Sequence, residues 1–465
     1  MILKSREVDV VEGNPFLNDK LNRKESADVL TEFVLSSKDP LVVCLDAPWG
    51  QGKTTFLRMW EQHLKDNEIP TIYFNAWEND FTDDAFVSLI GEIGASIDEI
   101  SNYGNEDKVK EYYQKAKNLG LGLVKRTVPV AAKVATAGAL DLDKITEQAL
   151  SSFAESIAKD QIEKYESAKK TLRSFREELT KLASSISAEK NKPLVFIIDE
   201  LDRCRPNFSI EILEKAKHFF NVENIIFVLG ADKVQLGHSI KAVYGSELNV
   251  NGYLRRFIDF DYLLPPPEKG LFVKAQFNKY SFKEYFSAKN GEQTRYEGEQ
   301  ALKMFTELFE LYQLTLREQE HCCSLLSLSI RTTPTNHSLF PLFLCLLIVI
   351  KIKEPDLYKR FVCDELTTDG LLAHLKSVDT KDELLSSNYG IALEAYIVSS
   401  KSNGYVDNAI MSKYQAIRDS SEASDVEKHR ANRVIEIIDR FDWNGGIGSL
   451  SYLVKKIEIA SRFSS

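Results

Sequence analysis

Residues Leu41 to Thr55 read LVVCLDAPWGQGKTT, and no other stretch limits the possible folds of this chain so sharply. Five apolar residues run straight into a glycine-rich turn and then Lys-Thr-Thr, which predicts a buried strand, a tight loop and a helix starting near Lys53. A strand that is apolar throughout suits a parallel sheet covered on both faces, so the expected class is α/β. The loop has the spacing of a phosphate cradle, for which the pattern is Gly, four residues, then Gly-Lys-Ser/Thr. Gly52, Lys53 and Thr54 fit it, while Ala47 stands where the first glycine belongs and Gly50 restores part of the lost backbone freedom. The expected anion site is therefore Ala47, Pro48, Trp49, Gly50, Gln51, Gly52, Lys53, Thr54 and Thr55. In it, loop amides and a helix N-terminus face phosphate oxygens, the lysine adds a fixed charge, and the Thr54 hydroxyl reaches Mg²⁺.

A GKTT turn can arise by chance between a strand and a helix, so a second motif decides its meaning. Pro193 to Pro206 reads PLVFIIDELDRCRP, a buried strand with two acids at its C-terminal end. An acid at a strand tip beside a phosphate loop can hold the water ligands of Mg²⁺, and a neighbouring carboxylate can orient or deprotonate an attacking water. Asp199 suits the first role and Glu200 the second. An isolated pair of acids at a strand end is as readily a solvated turn; joined to the upstream loop in an α/β pattern, it marks a nucleotide site. No NKxD-type guanine-reading motif follows the second motif, which favours ATP over GTP.

Between the motifs, Thr71 to Trp77 (TIYFNAW) predicts the second strand of a βαβ unit, and a helical insertion is expected from about residue 100 to 190. Within it, the small apolar stretch Leu119 to Leu140 is interrupted by Lys125, Arg126, Pro129 and Lys133, which argues against a membrane span. Tyr165, Ala168, Leu172, Phe175, Leu179, Leu182 and Ile186 form a seam of three-to-four spacing, expected to pack within the chain rather than as an intermolecular coiled coil. Asn224 to Asp232 (NIIFVLGAD) predicts a further strand, and beyond Pro267 strands give way to helices, including Phe272 to Phe309 and Leu311 to Leu328.

WGQGKTT, FNAW and FIIDELDRCRP, in this order, resemble the KAP family of P-loop NTPases over roughly Asn14 to Ile350. The resemblance implies a P-loop NTPase parallel sheet with a helical insertion and a C-terminal helical domain, divided as a core over residues 1–267 and a helical domain over 268–465. It implies an ATP- and Mg²⁺-dependent nucleoside triphosphatase in which Lys53 holds the β and γ phosphates, Thr54 and Asp199 the metal, and Glu200 the water. Asp232 lies where similar NTPases keep a sensor of the γ-phosphate, although a helix cap is the plainer reading. In LTLREQE, Leu314 to Glu320, Arg317 lies in what looks like a lid motif that could contact nucleotide. Arg203, Arg205, Arg255 and Arg256 qualify by position as an arginine finger, Arg203 and Arg256 foremost, with a surface ion pair as the alternative for each. Where many relatives carry membrane helices this chain has none that the sequence reveals.

Formal net charge is −10 and pI about 5.5, so nothing advertises general nucleic-acid binding, although a local basic patch is compatible with that average. The six cysteines include no CxxC pair and sit mostly in apolar runs, which fits a reducing cytoplasm. The Leu339 to Ile350 run is too short to span a bilayer and predicts a buried helix. The leading expectation is an ATP-driven switch acting on protein partners or in a homo-oligomer. Bacterial relatives suggest a subunit of a prokaryotic antiphage complex. An ATP-binding scaffold with little turnover and a nucleic-acid-stimulated motor are the competing readings.

Overall fold

Five all-parallel strands carry the phosphate-loop half of the molecule: β1 (Leu41–Asp46), β2 (Thr71–Asn75), β3 (Leu194–Asp199), β4 (Ile225–Ala231) and β5 (Phe260–Leu263), in the order β2-β3-β4-β1-β5. This is a computed structural model, describing residues 8–37, 39–82, 84–124, 147–188, 190–287, 296–333, 340–401, 408–443 and 450–462. Its described residues separate into one unit up to Pro265 and a second from Pro266 onward.

In the first unit the strands are nearly level, with Val43 opposite Val228 and Ile197 opposite the same Val228. The C-terminal tips of β1, β4, β3 and β2 therefore end along one edge, which is where polar residues appear. Alternate strand residues serve the two faces, as period-two geometry requires. Val43, Leu45, Val195, Ile197, Ile226 and Val228 pack with helices α1 (Lys24–Ser36) and α2 (Lys53–Asp66). Cys44, Phe196, Ile198, Phe227 and Leu229 pack on the opposite side with α3 (Ala85–Ala95), α4 (Ile97–Ser101), α5 (Glu106–Val124) and α6 (Glu147–Ser187). Helices α7 (Pro206–Phe220), α8 (Lys233–Tyr244) and α9 (Val250–Leu254) complete that layer. Burial on both faces explains why β3 and β4 read as continuous apolar runs rather than as alternating ones.

The seam on α6 is spent inside the chain, since Phe175, Leu179, Leu182 and Ile186 are buried in the same cluster and Phe175 sits 5.2 Å from Phe86. The Tyr165 side chain and, beyond Val124, the small apolar stretch lie outside the described residues. No described helix is long and apolar enough to cross a membrane.

The second unit is helical throughout its described residues. Pro341–Lys353, which carries Cys345, forms its centre, buried from Pro341 through Ile350, with Cys322 and Cys323 in the surrounding core. The helix expected from Phe272 to Phe309 is instead three: Leu271–Lys279, Phe282–Ser287 and Glu297–Leu311. The first break falls at Ser281, whose φ of 53° belongs to a left-handed turn that a continuous helix excludes.

Candidate functional site

Helix α2 begins immediately after Gly52, which takes a left-handed φ of 77°, as does Gly50. These two glycines carry the positive-φ positions of the loop, and Ala47 is not among the residues with positive φ. The missing first glycine therefore costs the turn nothing in backbone strain. Phe56 N–H is the first amide of α2 to find a helical acceptor, the Gly52 carbonyl at 3.0 Å. The amides of Lys53, Thr54 and Thr55 have no acceptor among the described residues, as at any helix start, which leaves them open to an anion.

Lys53 is buried, and its ammonium donates to the Ala47 carbonyl at 3.2 Å and to Asp202 Oδ2 at 3.3 Å. Asp202 belongs to the ELDR segment after β3 and was not singled out by sequence reasoning. Its Oδ2 also accepts the Trp49 indole N–H at 2.5 Å and the Asp232 backbone N–H at 2.9 Å. One buried carboxylate oxygen thus joins the phosphate loop, its lysine and the tip of β4. The only available sequence signal was a third acid, three residues beyond Asp199, which alone does not separate this role from a solvated turn.

Asp199 is fully buried at the end of β3. Its Oδ2 accepts the Tyr73 hydroxyl at 2.7 Å and its Oδ1 the Glu200 N–H at 2.7 Å. The Arg58 guanidinium lies over the Tyr73 ring, 3.4 Å from its centre, and helps fix that donor. Room for Asp199 depends on Gly230 in β4: a Cβ there would sit 2.5 Å from Asp199 Oδ1 and 2.5 Å from Leu57 Cδ1. Glu200 adopts a left-handed φ of 60°, an uncommon conformation for a non-glycine residue. Its Oε1 accepts the Thr54 hydroxyl at 3.2 Å and pairs with Arg203 at 2.6 Å. Burial pushes both carboxyl groups above their ordinary values; hydrogen bonds from Tyr73 and the Glu200 amide oppose this at Asp199, and Arg203 opposes it at Glu200.

Asp232 caps α8, with Oδ1 accepting from Val234 and Gln235 N–H, while Oδ2 accepts Trp49 N–H at 3.1 Å. It therefore acts both as a cap and as a tether of the loop. Arg205 is committed to the β2–α3 connection, its Nε meeting Asp80 Oδ1 at 2.8 Å and its backbone N–H meeting Asp80 Oδ2 at 2.7 Å. Arg255 and Arg256 are exposed and lie just before β5, where Asp259 N–H bonds the Val42 carbonyl near the start of β1. Four residue steps along the strand separate Val42 from Asp46, about 13 Å, so this pair lies at the edge opposite the loop and is not brought to it within one chain. Arg317 is exposed in the first turn of Leu316–Arg331 in the second unit, beside a Thr315–Glu318 capping box. Pro48, Gly50 and Gln51 form the outer turn of the loop and Thr55 lies in the first turn of α2.

Strand, glycine loop, helix and a distant acid pair, assembled at one edge of a parallel sheet, define a P-loop fold of the NTPase class. The profile of the KAP family P-loop domain matches residues 23–367, and the chain belongs to that family. Comparison with curated proteins gave no match. Among solved structures, the Aeropyrum pernix ORC2 protein in ADPNP–ADP complexes is similar at 14% identity and TM-score 0.30, over 73% of this chain and 78% of that one. AMPPCP-bound DnaA from Aquifex aeolicus is similar at 12% identity and TM-score 0.28, over 100% of both chains.

Proposed function

We propose that this chain is an Mg-ATP-binding ATPase whose hydrolysis drives a switch. The observation that carries the reading is the meeting of Lys53, Thr54, Asp199 and Glu200 around the free amides of the first turn of α2. The donor set fits the expected ligands: amides and a lysine for phosphate, and an all-oxygen group of hydroxyl and carboxylates for a hard divalent ion. Thr54 and Asp199 would hold Mg²⁺, which when bound supplies charge neutralisation on the phosphates. Glu200, made more basic by burial, is suited to orient a water and accept its proton. Arg203 reaches Glu200 and so acts on that carboxylate, restraining it until the substrate is seated.

The switch reading draws on Asp202. An anion entering the cradle competes with this carboxylate for Lys53, and Asp202 is in turn tied to Trp49 and to the β4 tip. Binding and release of phosphate would thereby be transmitted to the loop and to α8. The division into a core over residues 1–267 and a helical domain over 268–465 supplies an effector region for such a switch. Family membership alone supports a protein-partner output in the cytoplasm and the antiphage setting.

Glu200→Gln and Lys53→Ala test the reading by ATP turnover and by equilibrium nucleotide binding. Glu200→Gln is expected to abolish turnover and keep binding; Lys53→Ala is expected to lose binding while keeping the fold. Tight ATP binding by Lys53→Ala would overturn the site assignment. Full biological activity in Glu200→Gln would favour a scaffold instead.

A further inference from the structure

Arg23, immediately before α1, is 5% exposed, yet the structure spends its guanidinium poorly. Nη1 donates to the Gly52 carbonyl and Nη2 to the Pro265 carbonyl, each at a long 3.4 Å, and Nε is buried without a partner. Asp19 is the acid whose field reaches it, but that carboxylate accepts the Leu21 and Arg23 backbone N–H groups, and the guanidinium makes no ion pair among the described residues. Burial depresses its pKa to about 10. A buried guanidinium with weak neutral acceptors is costly, and such a cost is ordinarily offset by an anion.

Its position indicates which anion. Asp199 and Glu200 lie on the β3 side of the loop, and Thr54 reaches toward them. Arg23 lies on the other flank, touching Gly52 at the loop and Pro265 two residues beyond β5. A polyphosphate lying along the first turn of α2 with its terminal group at the acids has its nucleoside end on the Arg23 side.

We propose that Arg23 is a nucleotide-binding residue of this site, its guanidinium taking the phosphate next to the nucleoside. The assignment rests on the ATP-binding reading above. It gives the segment before α1 a ligand-holding role that neither motif contains, and it predicts that ATP and ADP feel Arg23 equally, because both carry that phosphate.

The test is ATP and ADP titration of the full chain by calorimetry, for wild type, Arg23→Gln and Arg23→Lys, with melting temperatures measured without nucleotide. Arg23→Gln should weaken ATP and ADP alike, by roughly ten- to a hundredfold, without lowering the melting temperature; Arg23→Lys should keep part of the affinity. Unchanged affinities with a lower melting temperature would overturn the proposal and make Arg23 a strut between Gly52 and Pro265. Loss confined to ATP would overturn it in favour of a terminal-phosphate contact. Failure of the wild type itself to bind either nucleotide would refute the ATP-binding reading, and the Arg23 assignment with it.

Discussion

Replacing Asp202 with asparagine keeps the side-chain volume and removes one charge from the point where three donors converge. Asp202 Oδ2 accepts from the Lys53 ammonium at 3.3 Å, the Trp49 indole at 2.5 Å and the Asp232 N–H at 2.9 Å. Hydrogen bonds to an ionised acceptor contribute about 1 kcal/mol more than neutral ones, so three of them put the loss near 3 kcal/mol. That lies at the lower end of the cost of breaking a buried ion pair, as expected where the Ala47 carbonyl still accepts from Lys53. For a unit of this size the melting temperature without nucleotide should fall by roughly 6–12 °C. ATP affinity should move the other way. On the proposed reading the wild-type lysine leaves its carboxylate to meet phosphate, whereas in Asp202→Asn that competitor is neutral. Differential scanning calorimetry without nucleotide and isothermal titration with ATP read the two effects separately. An unchanged melting temperature would refute the energetic argument. A tenfold loss of ATP affinity would refute the competition and make Asp202 an organiser of the loop.

Gly230→Ala drives a methyl into Asp199 Oδ1 and Leu57, so turnover should fall far more than nucleotide binding, with a stability loss of about 1–3 kcal/mol; equal turnover would show that β4 yields. Ala47→Gly should leave ATP affinity and turnover unchanged and cost no more than about 1 kcal/mol, because position 47 does not use the positive φ that glycine would open; a large gain in affinity would contradict this. His63 packs against Phe16, and burial holds its pKa below the ordinary value despite the nearby Asp28. The unfolded chain therefore binds more protons than the folded one between the depressed value and about 6.5, and stability rises with pH across that window. His63→Gln should flatten that part of a melting-temperature profile, and an unchanged slope would exclude His63 as its source.

The elements nearest the chemistry were the most legible. Apolar runs ending in Gly-Lys-Thr-Thr and in Asp-Glu announce strands whose tips gather the polar residues of the candidate site, because burial on both faces leaves no polar residue elsewhere in them. The contacts of Asp202, Tyr73 and Arg23 were not legible, because each joins segments distant in sequence, such as Tyr73 with Asp199. Arg256 shows the converse: proximity in sequence to a core strand placed it among the candidates, while the direction of β5 sets it at the far edge. The break at Ser281 escaped detection because an apolar periodicity continues on both sides of a single reversed dihedral.

Strand β4 lies between the strand that leads into the phosphate loop and the strand that ends in the acids. Asp232 at its tip gives its backbone N–H to Asp202 and takes the Trp49 N–H with its carboxylate. The two motifs are consequently one thermodynamic unit with a shared intermediary, and substitutions in them should not sum. A side-chain change at Trp49 removes the indole donor from Asp202 and so partly performs a change at Asp202 in advance, so the double variant should lose less than its two parents together. Selection acting on either motif would then act on β4 as well.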